Sequence, residues 1–180
     1  MKKILFTVVI ALLSVLTQAQ TFKPFKVDVA FGYAMPSGEG SKGGVLFALE
    51  PKYALNDNIT LGLRLESALT GNGYEVNGET FSADVKAMGS YLLTGDYYIN
   101  TNSFRPFVGA GAGLFSVASI KIEDSEAGSA EASGGSKFGF APRIGFEAGH
   151  FRVAGEYNVV GDKSNYAGIK IGFFLGGGRL

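Results

Sequence analysis

The chain has 180 residues with 16 basic and 16 acidic side chains, one histidine and no cysteine. That length suits one domain, the charge balance argues against nucleic acid as a partner, and the missing cysteine excludes disulfide frameworks, thiolate metal sites and thiol nucleophiles. Twenty-seven glycines, 13% aromatics and only 18% charged residues point to a β protein.

Lys2 and Lys3 precede an apolar run from Ile4 to Leu16, which is shorter than the ~20 residues a spanning helix needs. Thr17-Gln18-Ala19 then supplies the small residues a signal peptidase reads. Residues 1–19 are expected to be a signal peptide, and 20–180 the folded domain.

From there on apolar side chains recur every second residue, the signature of strands with two unlike faces. Phe25, Val27, Val29, Phe31 and Tyr33 oppose Lys26, Asp28, Ala30 and Gly32. Val45, Phe47, Leu49, Tyr53 and Leu55 oppose Ala48, Glu50, Lys52 and Ala54. Ile59, Leu61, Leu63, Leu65 and Leu69 oppose Thr60, Gly62, Arg64, Glu66 and Ala68. Val85, Ala87, Tyr91, Leu93 and Tyr97 oppose Asp84, Lys86, Met88, Ser90, Thr94 and Asp96. Val108, Ala110, Ala112 and Leu114 oppose Arg105, Phe107, Gly109, Gly111 and Gly113. Phe138, Phe140, Ile144 and Phe146 oppose Gly139, Ala141, Arg143, Gly145 and Glu147. Phe151, Val153, Tyr157 and Val159 oppose Arg152, Ala154, Glu156 and Asn158, and Ile169, Ile171, Phe173 and Leu175 oppose Gly168, Lys170, Gly172 and Phe174.

These make eight strands. Short turns fall at Asn56-Asp57-Asn58, Asn100 to Ser103 and Gly149-His150; longer loops are expected at Met35 to Gly43, Gly71 to Thr80, Ile120 to Ser136 and Gly161 to Asn165. Short turns at one end and longer loops at the other fit an up-and-down barrel that spans an outer membrane. Pro51, Pro106 and Pro142 each lack a ladder donor, so bulges or strand ends are expected there.

Charge decides which face meets lipid. Lys26, Asp28, Glu50, Lys52, Arg64, Glu66, Asp84, Lys86, Asp96, Arg143, Glu147, Arg152, Glu156 and Lys170 all fall on the polar faces, seven of each sign, and no charge falls on the apolar faces. A Lys or Arg facing lipid near the midplane costs about 2–4 kcal/mol, and backbone in lipid must pair internally, so the strands close. Eight strands leave a lumen just wide enough for side chains, where charges have to pair. These fourteen residues are the expected lumen network, with room left by glycines such as Gly62 and Gly109. Aromatics cluster at strand ends: Tyr53, Tyr97, Phe146, Phe151 and Phe173 by the short turns, and Phe31, Tyr33, Phe47, Phe138, Tyr157 and Tyr166 by the loops. Two such rings make an interfacial girdle.

The pattern, with the stretch Phe104-Arg105-Pro106-Phe107-Val108-Gly109-Ala110-Gly111-Ala112-Gly113, resembles the eight-stranded outer-membrane β-barrel family, similar to the transmembrane domain of outer-membrane protein A and its small relatives. The resemblance covers the whole of 20–180. It implies an all-β, antiparallel, up-and-down transmembrane barrel with both termini in the periplasm. It also implies outer-membrane lipid and the barrel assembly machinery as partners, the latter through Ile169 to Leu175. The chain departs from the pattern by continuing through Gly176-Gly177-Gly178-Arg179-Leu180. The Ala19-Gln20 junction resembles secreted proteins of the Bacteroidetes.

Motifs for chemistry are sparse. Gly109-Ala110-Gly111-Ala112-Gly113 lacks the spacing of a phosphate loop and reads as barrel wall. His150 sits in a two-residue turn with no neighbouring nucleophile, and the pairs Arg143/Glu147 and Arg152/Glu156 read as ion pairs. The loop bearing Glu123, Asp124, Glu126 and Glu131 lacks calcium-loop spacing. No catalytic residue, metal or cofactor is expected. The expected role is structural, adhesive or surface-binding through extracellular loops and a still unnamed ligand. Two alternatives are a soluble lipocalin-like barrel with the faces inverted and a lipid-modifying barrel enzyme.

Overall fold

The computed structural model describes residues 22–37, 41–76, 79–122, 130–161 and 164–177, and among these the side chains at 41, 71–86 and 117–134 are not described. The expected signal peptide lies outside the described residues. Among the described residues nine strands follow in chain order: β1 Phe25–Pro36, β2 Ser41–Lys42, β3 Gly44–Ala54, β4 Ile59–Val76, β5 Glu79–Tyr98, β6 Phe104–Ile122, β7 Ala130–Ala148, β8 Phe151–Asn158 and β9 Tyr166–Gly176. Both β2 and β3 pair with β4, so they form one stave interrupted at Gly43. All pairings are antiparallel, and the β1–β9 and β4–β5 ladders close eight staves into a barrel.

The register fixes the barrel's shape. From Lys26 the pairs run to Lys52, Gly62, Thr94, Gly111 and Ala141. The β7–β8 register continues this path to Asn158, whose partner Tyr166 pairs with Pro36. One circuit therefore returns to β1 ten residues further on, at Pro36 rather than Lys26. With strands about 4.8 Å apart and a rise of about 3.3 Å per residue, that stagger tilts the strands by roughly 40°. Each residue then climbs about 2.5 Å, so about ten residues cross an apolar band of about 25 Å. The strands β1, β3 and β9, at 12, 11 and 11 residues, are about that long.

Strands β4 to β7 are far longer, at 18, 20, 19 and 19 residues. This corrects two expected loops. Most of 71–80 is the tip of the β4–β5 hairpin, paired as far as Val76 with Glu79. Most of 120–136 is the tip of the β6–β7 hairpin, paired as far as Ile122 with Ala130. Beyond the lipid band no alternation is needed to hold a ladder, because backbone pairing ignores side-chain polarity. Glycine, serine and glutamate therefore concealed strands there.

The prolines also differ from expectation. Neither Pro51 nor Pro142 makes a bulge: the registers on either side of each agree. The β3–β4 ladder skips the position where Pro51 would face Leu63, and the β7–β8 ladder skips the one where Pro142 would face Tyr157. Proline has no N–H, so at each seam one carbonyl in the barrel wall lacks a backbone donor. Pro106 marks an end, since β5–β6 pairing stops at Phe107. The register shifts lie at Asn72/Gly73 and across Gly43.

Alternation sorts the side chains. Leu93 is 66% exposed on the outer wall and Arg64 is fully buried inside. A soluble lipid carrier has the reverse arrangement. Phe31, Tyr33, Phe47, Tyr53, Tyr97, Phe138, Phe151, Tyr157 and Phe173 are exposed, and Phe146 is half-buried against Phe104, 5.0 Å between ring centres. Tyr166 is a correction: it is 1% exposed and points inward, because it shares the parity of Gly168 and Lys170 on β9.

Candidate functional site: the lumen and its two mouths

The inner face is layered along the barrel axis. At the short-turn end Tyr98 and Phe107 form a buried apolar floor that packs against Ala154 further along β8, and Phe174 is buried at the same end. Above it sit four cations and four anions: Lys26, Lys52, Arg143 and Arg152 with Asp28, Glu50, Asp96 and Glu147, all buried. Asp96 is the hub. Its Oδ1 lies 2.7 Å from Arg143 Nε, and its Oδ2 lies 2.9 Å from Lys52 Nζ and 2.8 Å from Arg152 Nη2. Arg143 Nη2 also reaches Glu50 Oε1 at 2.8 Å, and Lys52 Nζ reaches Asp28 Oδ2 at 2.7 Å. Glu147 Oε1 gathers Lys26, Arg152 Nη1 at 2.7 Å and the Tyr98 hydroxyl at 2.5 Å.

A second, smaller cluster lies nearer the hairpins. Arg64 Nη1 is 2.5 Å from Glu156 Oε2, and Lys170 Nζ is 2.7 Å from both Glu66 Oε2 and Glu156 Oε2. Asn158 Oδ1 accepts from Arg64 at 2.8 Å, and the Tyr166 hydroxyl donates to Glu66 at 2.7 Å. Each cluster is internally neutral, four against four and two against two. Between them is a cavity of about 20 Å³, lined by Ala30, Ala48 and Ala154 among the charges, with room for a single water.

Twelve of the fourteen expected lumen charges are thus placed; Asp84 and Lys86 lie outside the described side chains. Glycine makes the space. A Cβ on Gly109 would lie 2.3 Å from Asp96 Oδ1, and one on Gly62 would lie 2.9 Å from Lys52 Cγ. The sequence reading missed the layer above: Ala34, Leu46, Ala68, Met88, Leu92, Phe115, Val160 and Tyr166 form a buried apolar plug toward the hairpins. Strand parity signals it, since Leu46 shares the phase of Ala48 and Glu50, and Leu92 that of Ser90 and Thr94.

Unpairing one of the lumen carboxylates from its cations inside so narrow a wall is strongly opposed. His150 lies exposed in the β7–β8 turn with its ring 5.3 Å from Phe174, and no hydroxyl or carboxylate bonds to it among the described residues. Among those residues no group of acidic and histidine side chains is placed to hold a metal.

The short-turn mouth has a different character. Arg105 was left out of the network by sequence and is buried here. Its guanidinium lies 4.1 Å from the Phe22 ring centre and 4.0 Å from that of Tyr98, and its Nη2 donates to the Asp57 carbonyl at 2.9 Å.

Residues 5–177 match the family described as outer membrane protein beta-barrel domain. Three solved barrels share the fold. The outer membrane protein OprG of Pseudomonas aeruginosa is 13% identical with a TM-score of 0.60, covering 87% of this chain and 98% of its own. Neisserial surface protein A is 18% identical with a TM-score of 0.55, covering 87% and 97%. The N-terminal barrel of OprF from Pseudomonas aeruginosa is 17% identical with a TM-score of 0.51, covering 86% and 99%. No curated protein matches the chain.

Proposed function

Because the chain belongs to the outer membrane protein beta-barrel domain family, we propose that it acts in the outer membrane as a sealed, non-catalytic barrel that displays a tall hairpin wall for a surface partner. The observation that carries this is the unequal strand length: β4 to β7 run about eight residues beyond what the lipid band needs, or about 20 Å of extra wall. Lipid gives no reason for that excess. The short turns then face the periplasm with both termini, and the hairpins face outward. The name of Neisserial surface protein A supports a surface setting.

The lumen charges serve as a fixed internal brace. Among the described side chains the apolar plug and the two neutral clusters occupy the lumen, which supports a scaffold rather than a pore. The exposed aromatics at the strand ends seat it in the lipid, and the alternating β9 is the segment offered to the assembly machinery.

The test is a variant in which short turns replace 73–82 and 119–133. Cells displaying it are expected to lose adhesion and aggregation while the protein keeps the gel mobility shift on boiling that marks a closed barrel. Adhesion equal to that of the full chain would remove the display role.

A further inference from the structure

At the short-turn mouth a cavity of about 200 Å³ opens between Phe22, the turn residues Ser103 and His150, and Phe174 near the end of β9, with Arg105 and Glu147 at its base. Arg105 and Glu147 are direct cross-strand partners on β6 and β7. Such a pair is placed to form an ion pair, yet none forms here. Glu147 spends Oε1 on Lys26, Tyr98 and Arg152, which leaves Oε2 buried with no hydrogen-bond partner. The Nε of Arg105 is likewise buried and unpartnered. Arg105 belongs to neither of the two neutral clusters, and among the described residues no carboxylate is ion-paired with it; its Nη2 donates to the Asp57 carbonyl. The residues at the base of the mouth therefore include one carboxylate oxygen and one guanidinium nitrogen that are buried without hydrogen-bond partners, beside apolar walls.

The cavity has room for several water molecules or one small organic group, and it combines the rings of Phe22, Phe174 and His150 with polar groups of Ser103, Arg105 and Glu147. A group that supplies a carboxylate to Arg105, a donor to Glu147 Oε2 and an apolar side chain to the rings satisfies all three features. We propose that this mouth is a binding site for an α-amino acid zwitterion with a small apolar side chain, held by its carboxylate on Arg105 and its ammonium on Glu147. The zwitterion comes either as a free amino acid or as the amino-carboxylate end of a wall peptide. Its periplasmic setting rests on the orientation proposed above; the binding itself does not.

The experiment is equilibrium binding of labelled L- and D-leucine to the folded barrel in nanodiscs, against two half-ligands. One is 4-methylpentanoate, which lacks the ammonium, and the other is 3-methylbutylamine, which lacks the carboxylate. Saturable leucine binding is expected, with each half-ligand at least tenfold weaker. Arg105→Gln is expected to weaken leucine at least tenfold. Ser103→Trp, which fills the cavity from its rim without touching the charge clusters, is expected to do the same. The mobility shift on boiling checks that each variant is folded. No leucine binding, or equal binding by leucine and either half-ligand, or full binding by folded Ser103→Trp, would overturn the site. Co-sedimentation with purified sacculi that leucine competes away would assign the wall peptide as the source; leucine binding without co-sedimentation would assign the free amino acid. If surface labelling showed the barrel reversed while leucine still bound, the site would stand and only its compartment would change.

Discussion

The barrel is two unlike halves. The staves β8, β9, β1 and β3 stop near the height that lipid demands, whereas β4, β5, β6 and β7 continue as a paired wall of four strands. The two junctions between these halves are β3–β4 and β7–β8, on opposite sides of the barrel. They are also the two seams where a proline leaves a gap in the ladder. Within each half the ladders run without such a gap. Lipid thickness sets the minimum strand length for every stave, so only the excess in one half is free to serve something else. The seams show where the backbone holds the halves least tightly, and the lumen shows what compensates.

Asp96, on the tall β5, bonds Lys52 on the short β3 and Arg152 on the short β8, as well as Arg143 on its own half. It ties the halves together across the lumen. The largest effect is therefore expected from Asp96→Ala, which takes a shared carboxylate from three cations and leaves their cluster with a net positive charge; it should cost about 3–5 kcal/mol in urea unfolding from lipid vesicles. A loss below about 1 kcal/mol would mean that the network braces nothing.

The outer wall distinguishes belt from excess. Leu93→Arg on the exposed face of β5 is expected to cost about 2–4 kcal/mol by the same unfolding measurement, whereas Ser136→Arg on the β7 extension should cost less than about 1 kcal/mol. Equal costs would place both positions in the same environment and erase the comparison. Gly109→Ala tests the fit inside the tall half. Its methyl would press on Asp96 Oδ1 and on the Gly95 carbonyl, 2.5 Å away, so about 1–3 kcal/mol is expected. The smallest effect belongs to the seam. Pro142→Ala gives the Tyr157 carbonyl a donor but loosens the unfolded chain, so net stability should move by less than about 1 kcal/mol. Amide exchange at Tyr157 should nevertheless slow.

The fold was legible because a lipid-facing barrel imposes a strict period of two, and eight segments of the chain keep it. Parity carried more information than residue type. Tyr166 read as a girdle aromatic by type, but its phase with Gly168 and Lys170 places it inside with Glu66. Phe115 and Met88 enter the apolar plug by the same rule. The hairpin tips were not legible, since nothing beyond the lipid band forces alternation on Gly71 to Thr80. Nor was the mouth: sequence puts Arg105 opposite Glu147 without revealing that Lys26, Arg152 and Tyr98 claim the same carboxylate oxygen.

The absence of cysteine makes the decisive measurement clean. Ser136→Cys places a single thiol on the β7 extension, and Asn102→Cys places one in a short turn. Treating intact cells with a membrane-impermeant maleimide should label Ser136→Cys at once and Asn102→Cys only after the outer membrane is permeabilised. Labelling of Asn102→Cys alone on intact cells would put the tall wall in the periplasm and contradict its role in surface display.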